Sequence, residues 1–373
     1  MSRHSHFEVI TTDESGRWDD IIEEIGVFAF YHLSSFHRLA EMLGEGWAFM
    51  PVFRHGDCLI AFPLLERDIE IPGVIDAAEG LKDATSVRGF AGPVASDRHI
   101  TEDIRQSFQQ ELQDYFRHSN IISVYARLNP LTTPISLLEG YGNTADVGVT
   151  VSLDLADPPD VQFDSYRKGH RYEIKRLKKL GFVCEEVGLE YITDFMRVYY
   201  DAMNRVKAGP EYYFNRAYIE YLLRDMSDVM HLFVCRQDGA IASVSIETYC
   251  KGILEGYIGG TSTEYLRLAP DKLVYDTVRE WGNRIGARTY HLGGGVGAQR
   301  DSLYDFKMGF GGREHVYYTW RHVVDAGVYN DLNQRVMQAA GTTTGGSYFP
   351  VYRDSSLVEA CSRVDAICNQ GRA

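Results

Sequence analysis

Apolar positions along the chain recur with two periods, and the period switches in a regular order. Phe7 to Thr11 reads as a strand, and an amphipathic stretch follows around Trp18 to Ile25. Ser34 and Ser35 offer a helix start, with the helix running through Met42. Met50 to Arg54 predicts a strand, His55-Gly56-Asp57 a turn, and Cys58 to Leu65 the return strand. Arg88 to Pro93 is glycine-rich and reads as a loop. Thr101 opens a helix with Ile104, Phe108, Leu112 and Tyr115 on one face. Ile122, Val124, Ala126 and Leu128 then alternate, so Ile121 to Leu128 predicts a strand with one strongly buried face.

The second half repeats this order. Ile192, Phe195, Val198 and Ala202 mark one helix, and Arg216 to Met226 another. His231 to Arg236 predicts a strand, Gln237 to Gly239 a turn, and Ile241 to Tyr249 its partner. Ile253 to Gly259 adds a third strand. Pro270 opens a helix, as proline at a first helical position can, and Val274, Val278, Trp281 and Ile285 form its apolar stripe. Arg288 to Leu292 is a strand that ends in Gly293-Gly294-Gly295. The hairpin Val52 to Ala61 can be laid over Val234 to Ser243, and each is followed by a long helix and a short strand. Two related units of mixed α/β (α+β) structure are therefore expected.

Composition sharpens this picture. At 373 residues and 45% hydrophobic content the chain suits two packed domains better than one. The net charge of −14 argues against a general nucleic-acid coat, since phosphate affinity comes mainly from Lys and Arg. The stretch Met1 to Ile10 is polar, and no run approaches a membrane span, so a cytoplasmic protein without a membrane span is expected. The six cysteines form no C-x-x-C pair and no zinc spacing, so free thiols and no metal site are expected.

Three features could carry chemistry. Tyr166 to Lys179 holds Arg167, Lys168, Arg171, Lys175, Arg176, Lys178 and Lys179 against one Glu. On a helix, Ile174 and Leu177 would face the core. Such a run is either a solvated helix face or, in so acidic a chain, a phosphate- or RNA-binding surface. Asn204 to Phe214 breaks at Gly209-Pro210 and then presents Tyr212, Tyr213 and Phe214. It is either a ligand loop, with Arg205 beside it, or an aromatic cap on the core. The third is His291 to Gly312, a glycine-rich stretch after a strand. It lacks both the Gly-x-Gly-x-x-Gly and the P-loop spacing. Within it Lys307 stands between Phe306 and Met308. It is either a solvated surface Lys or a partly desolvated one, suited to stabilise an oxyanion or phosphate.

Known catalytic signatures of hydrolases, zinc proteases and kinases are missing. So is the acyl-CoA loop expected near Thr261 to Lys272, where the chain reads Ser-Thr-Glu-Tyr-Leu-Arg-Leu-Ala-Pro-Asp-Lys. The ordered stretches Tyr125 to Leu131, Arg171 to Gly181, Tyr199 to Val206 with Tyr212 to Phe214, Leu254 to Thr261, His291 to Gly295 and Tyr304 to Gly312 resemble the FemAB family. These are FemX-like, aminoacyl-tRNA-dependent aminoacyltransferases built from two acetyltransferase-like (GNAT-type) domains.

The resemblance implies tandem GNAT-like domains, 1–155 and 156–320, with 321–373 packing back on the first and the active-site cleft in the second. It implies transfer of an aminoacyl group from tRNA to the amine of a small peptide or peptidoglycan-precursor-like acceptor. Aminoacyl-tRNA would be co-substrate, with no cofactor. It places the family's catalytic lysine on Lys307 and acceptor contacts on Arg205 and Tyr212 or Tyr213. Tyr257 becomes the cleft tyrosine, and His291 and Arg88 are further substrate-binding candidates. The absence of a long charged helical hairpin, and Arg88 where similar proteins often have Tyr, weigh against a cell-wall acceptor. An acyl-CoA- or acyl-carrier-dependent N-acyltransferase and a non-catalytic RNA- or phosphate-binding protein are the alternatives.

Overall fold

A computed structural model describes residues 5–97 and 99–361 of the chain. They divide into two compact units. Unit 1 comprises the chain through Val27, Tyr31–Asp146 and the segment from Tyr318; unit 2 comprises Phe28–Phe30 and Val147–Tyr317.

Unit 1 begins with β1 (Ser5–Thr11), α1 (Ser15–Ile25) and α2 (Ser34–Met42). β2 (Trp47–His55), β3 (Cys58–Ala61), β4 (Leu64–Asp68), β5 (Lys82–Thr85) and β6 (Val94–Ala95) follow. α3 (Glu102–His118) and β7 (Ile121–Arg127) complete the first pass. The return strand expected over Cys58 to Leu65 is broken at Phe62-Pro63, because proline has no N–H to give to a ladder. Its register nevertheless survives the break. Val52 faces Ala61 on one side and Phe49 faces Leu64 on the other, so β3 and β4 lie end to end along β2. β5 and β7 pair in parallel across the α3 crossover.

The chain enters unit 2 through β8 (Asn143–Asp154), then α4 (Pro159–Asp164), α5 (Lys168–Lys179) and β9 (Val183–Val187). α6 (Ile192–Val206) and α7 (Arg216–Asp225) precede β10 (Met230–Gln237), β11 (Ala240–Cys250) and β12 (Ile253–Thr261). α8 (Asp271–Ile285), β13 (Thr289–Gly294) and α9 (Ser302–Met308) follow. β14 (Arg313–Val323) leads back to unit 1, where α10 (Ala326–Ala339) packs Leu332 and Val336 with Tyr352 and Cys361 on Ile69, Ile71 and Ile122.

The sheets follow one strand order, with β3 and β4 together standing for β11 and with β6, which pairs with β3, added in unit 1. In unit 2 the order runs β9-β10-β11-β12-β13-β8, with β12 and β13 parallel. In unit 1, β1-β2-β3/β4-β5-β7-β14 follows the same plan, again with one parallel pair. The last strand of each sheet is exchanged in sequence. β8 follows β7 yet pairs with β13, and β14 follows β13 yet pairs with β7.

Amphipathic helices cover the sheets. Ile174 and Leu177 of α5 and Val274, Val278 and Trp281 of α8 join one apolar cluster with Tyr290 and Phe310. Each such side chain contributes about 1.5–3 kcal/mol on burial. Cys58, Cys235, Cys250 and Cys361 are buried free thiols and Cys184 is half-buried. Cys368 lies outside the described residues. Among the described residues no helix is long and apolar enough to cross a membrane.

Candidate active site

In unit 2 the parallel strands β12 and β13 are paired only at their starts. Ile253, Leu254 and Glu255 face Thr289, Tyr290 and His291, and beyond them the ladder stops. On β12's other edge the register against β11 slips by one, so that Ile246 faces Ile258 but Glu247 faces Gly256. Tyr257 is the extra residue of this bulge, which re-aims its side chain. Its hydroxyl pairs with that of Tyr218 on α7, and its ring meets Phe30 edge-on at 5.3 Å.

A group of buried polar side chains is built on these strands. Tyr290 donates its hydroxyl to Glu247 Oε2 at 3.0 Å, and Ser245 donates to the other oxygen. His291 Nδ1 lies 3.0 Å from Glu255 Oε1, with both side chains almost fully enclosed. Adjacent residues of a strand point to opposite faces, so the Glu247–Tyr290 and Glu255–His291 pairs flank the sheet on its two sides. Burial pushes the Glu247 carboxyl up to about 7, partly opposed by its hydroxyl donors. Ser152 on β8 bonds His315 at 2.7 Å, and burial lowers the imidazole of His315.

Lys307 belongs to this group. α9 is capped by Asp301, which accepts from the Tyr304 N–H at 2.9 Å and from Val296 N–H at 2.9 Å. The helix turns Lys307 inward, where Nζ donates to the Gly294 carbonyl at 2.6 Å. Only 8% of the residue is exposed. Desolvation lowers its ammonium to about 8, against the pull of Asp301, Glu247 and Glu255, which favour the charge. The desolvated alternative for Lys307 is therefore the one realised. Gly293, at φ +71°, carries the turn beside it, where a Cβ would stand 3.4 Å from Nζ. A buried cation that exchanges its proton near neutrality can both stabilise an oxyanion and hand over a proton.

The other sequence candidates fall in several places. Arg205, on α6, donates to the Thr261 carbonyl at 2.9 Å and to Thr263 Oγ1 at 3.0 Å. Tyr213 donates to Asn204 at 3.0 Å, and Tyr212 accepts at its carbonyl from Tyr199 at 2.6 Å. Phe214 stacks on Tyr218 at 4.4 Å, so the loop caps the core with Phe214 and leaves Tyr212 and Tyr213 at the surface. Arg88 lies in unit 1, where Arg88, Arg127 and Arg67 together act on Glu45. The basic run forms α5, with Ile174 and Leu177 buried as expected. Arg167 donates to the Asp305 carbonyl at 2.7 Å, Arg171 pairs with Asp164 at 3.1 Å, and Lys178 pairs with the buried Asp276 at 3.1 Å. Lys168, Lys175, Arg176 and Lys179 are exposed.

Glu247, Glu255 and Tyr290 were missed from sequence. The available signal was an acid inside each of two otherwise buried strand runs, Ser-Ile-Glu-Thr and Leu-Glu-Gly. A polar cleft of about 230 Å³ also opens on unit 2, lined by Tyr191, Asp194, Arg197, Arg236 and Glu264 among others. It contains none of the predicted residues, whereas Lys307 and Glu247 are buried groups with shifted protonation.

The helix that would receive an acyl-CoA pyrophosphate is α8. An anion site there needs free backbone N–H groups and no competing charge. Asp271 stands at this start, its carboxyl raised to about 6 by burial, and accepts from the Lys272 N–H at 3.0 Å. The segment before it is tied down by α6. Asp201 accepts from the Thr263 N–H at 2.6 Å, and Arg205 holds Thr261 and Thr263.

A parallel pair that parts after a short ladder, a bulged neighbouring strand and flanking helices define the GNAT type of acyltransferase fold, present here in tandem. Residues 164–308 match the Acetyltransferase (GNAT) domain family, and the protein is an acyltransferase of that fold. The chain is similar in fold to FemX, at 13% identity and a TM-score of 0.68, covering 87% of this chain and 99% of that one. It is also similar to the C-terminal domain (DUF2156) of a putative lysylphosphatidylglycerol synthetase from Agrobacterium fabrum, at 13% identity, TM-score 0.50, covering 85% of this chain and 93% of that one. L-PGS from Bacillus licheniformis gives 15% identity, TM-score 0.50, and coverage of 84% and 94%. Among curated proteins no sequence match is found. The fold that the FemAB resemblance implied is the fold observed.

Proposed function

We propose that the protein transfers an aminoacyl group from aminoacyl-tRNA to the amine of a small peptide or peptidoglycan-precursor-like acceptor, in the cytoplasm where charged tRNA is made. Assembly of a peptide natural product is a setting that fits. The amine nitrogen attacks the ester carbonyl, the C–N bond forms, and the ribose oxygen leaves with a proton. The ester is already activated, so the protein must orient the two substrates and stabilise the tetrahedral oxyanion. Lys307 supplies the cation. Arg205 and Tyr213 hold the acceptor beside Tyr212, and Tyr257 lines the cleft with His291 behind it. The exposed cations of α5 contact tRNA phosphate.

The observation that carries this reading over an acyl-CoA donor is the start of α8. Asp271 and the Asp201–Arg205 ties stand where a pyrophosphate would need open N–H groups. FemX, whose fold this chain shares, supports the reading by analogy only. The test is mass spectrometry of products after the protein is offered a pool of charged tRNAs, or acyl-CoAs, with candidate amines. An amide formed from charged tRNA, and lost after RNase treatment, is the expected result. Amide formed from acyl-CoA alone, or tight RNA binding with no turnover, refutes it. Because Lys307 acts as its cation, the rate should fall as pH rises through about 8.

A further inference from the structure

α5 divides its cations into two groups. Arg167, Arg171 and Lys178 are engaged within unit 2, by the Asp305 carbonyl, Asp164 and Asp276. Lys168, Lys175, Arg176 and Lys179 make no ion pair among the described residues. Three acids of unit 2 on or beside α5 are engaged by other cations. Glu173 pairs with Lys272, Asp164 with Arg171, and Glu280 with Lys178 and Arg279.

At 3.6 residues per turn, Lys168, Tyr172, Lys175 and Lys179 fall in one stripe about 60° wide and about 16 Å long, with Arg176 along its margin. His170, Ile174 and Leu177, on the far side, are buried. Tyr172 stands in the middle of the cations with 67% of its surface exposed. At that exposure the ring buries only about a third of its surface within the fold. An exposed ring set among cations that make no ion pair suits a single-stranded nucleic acid, because a base can stack on the ring and phosphates meet the charges. Of these cations Lys175 also lies over the Phe163 ring, 5.6 Å from its centre. The net charge of −14 weakens non-specific attraction of RNA to the rest of the surface.

We infer that the α5 stripe holds unpaired nucleotides of an RNA, with a base stacked on Tyr172 and phosphates met by Lys168, Lys175, Arg176 and Lys179. The inference rests on the tRNA-donor reading and assigns to it a stacking residue and four of the seven cations of the run.

Fluorescence anisotropy with an RNA hairpin bearing a short single-stranded 3′ tail, and with the same hairpin blunt, tests this. The tailed RNA binds more tightly to the wild type. Tyr172→Ala weakens tailed binding about 5- to 100-fold, as loss of one stacked base should, and leaves blunt binding unchanged. Tyr172→Phe keeps the ring and the affinity. Replacing Lys168, Lys175 and Lys179 by Ala weakens both RNAs and lowers the salt slope by about two to three. Equal binding of the two RNAs by the wild type, or tailed binding indifferent to Tyr172→Ala, overturns the inference. Transfer assays separate it from the reading beneath it. Tail binding as described without transfer from charged tRNA removes the donor reading and leaves the site. Transfer with a tRNA KM unchanged in Tyr172→Ala removes the site and leaves the donor reading.

Discussion

The two units share a strand order and differ at the centre of their sheets. In unit 2 the parallel pair sets Glu255 opposite His291, with Glu247, Tyr290 and Lys307 buried nearby. In unit 1 the corresponding pair sets Ala84 opposite Val124, beside a core of Phe53, Phe62, Phe108 and Trp320. Burying carbon stabilises a fold, and burying ionisable groups costs stability unless they are paired. Unit 1 also buries an acid on its parallel pair, Asp83, but holds it between Arg67 and Arg353, whereas unit 2 buries Glu247 and Lys307 with their protonation shifted toward neutrality.

The sharpest way to break this contrast is to damage each centre in turn. Phe108→Ala in unit 1 should cost about 3–5 kcal/mol in urea unfolding. The pH dependence of turnover in the folded fraction should not change. A moved pH profile would mean that the two centres are not separate in role.

Glu247→Gln in unit 2 should show the opposite sign. The carboxyl is raised from 4.5 to about 7 in the folded protein, so the native state binds its proton more tightly than the unfolded chain does. Its contribution to stability is favourable below the unfolded value and falls away as pH rises through about 4.5 to 7. The glutamine variant should therefore gain up to about 3 kcal/mol over the wild type at pH 8 and nothing at low pH. Urea unfolding at both ends of that window measures it. A loss of stability at pH 8 would show that the buried acid is held by compensating contacts after all.

The smallest effect compares helix caps. Asn215 accepts from the Tyr218 N–H at 2.8 Å in unit 2, and Thr101 accepts from Ile104 N–H at 3.4 Å in unit 1. Asn215→Ala should cost about 1 kcal/mol, and Thr101→Ala less, since a longer bond contributes less. Thermal unfolding of the two variants checks the order.

Much of the scaffold was legible because it depends on local periodicity. The stripe of Val274, Val278 and Trp281 defined α8, and alternation at Ile122, Val124 and Ala126 defined β7. The burial of Lys307 was legible only as one of two alternatives, since its neighbours Phe306 and Met308 do not share its helix face. The exchange of β8 and β14 was not, because pairing with a distant strand leaves no local mark. Nor was the break at Phe62-Pro63, where an apolar run continues through a residue that cannot donate. Glu247 and Glu255 escaped for a related reason. An acid in a strand reads as its solvent side, and only the tertiary partners Tyr290 and His291 show that each is enclosed. The bulge that turns Tyr257 toward Tyr218 is likewise set by register against β11 rather than by its own sequence.

Acyl transfer in unit 2 is proposed to run through Lys307. It is tested most directly by single-turnover transfer from labelled aminoacyl-tRNA to an amine, comparing the wild type with Lys307→Ala. Loss of one preorganised oxyanion contact should slow the transfer step about 10²- to 10³-fold while tRNA affinity stays the same. Transfer at the wild-type rate in Lys307→Ala would contradict the account.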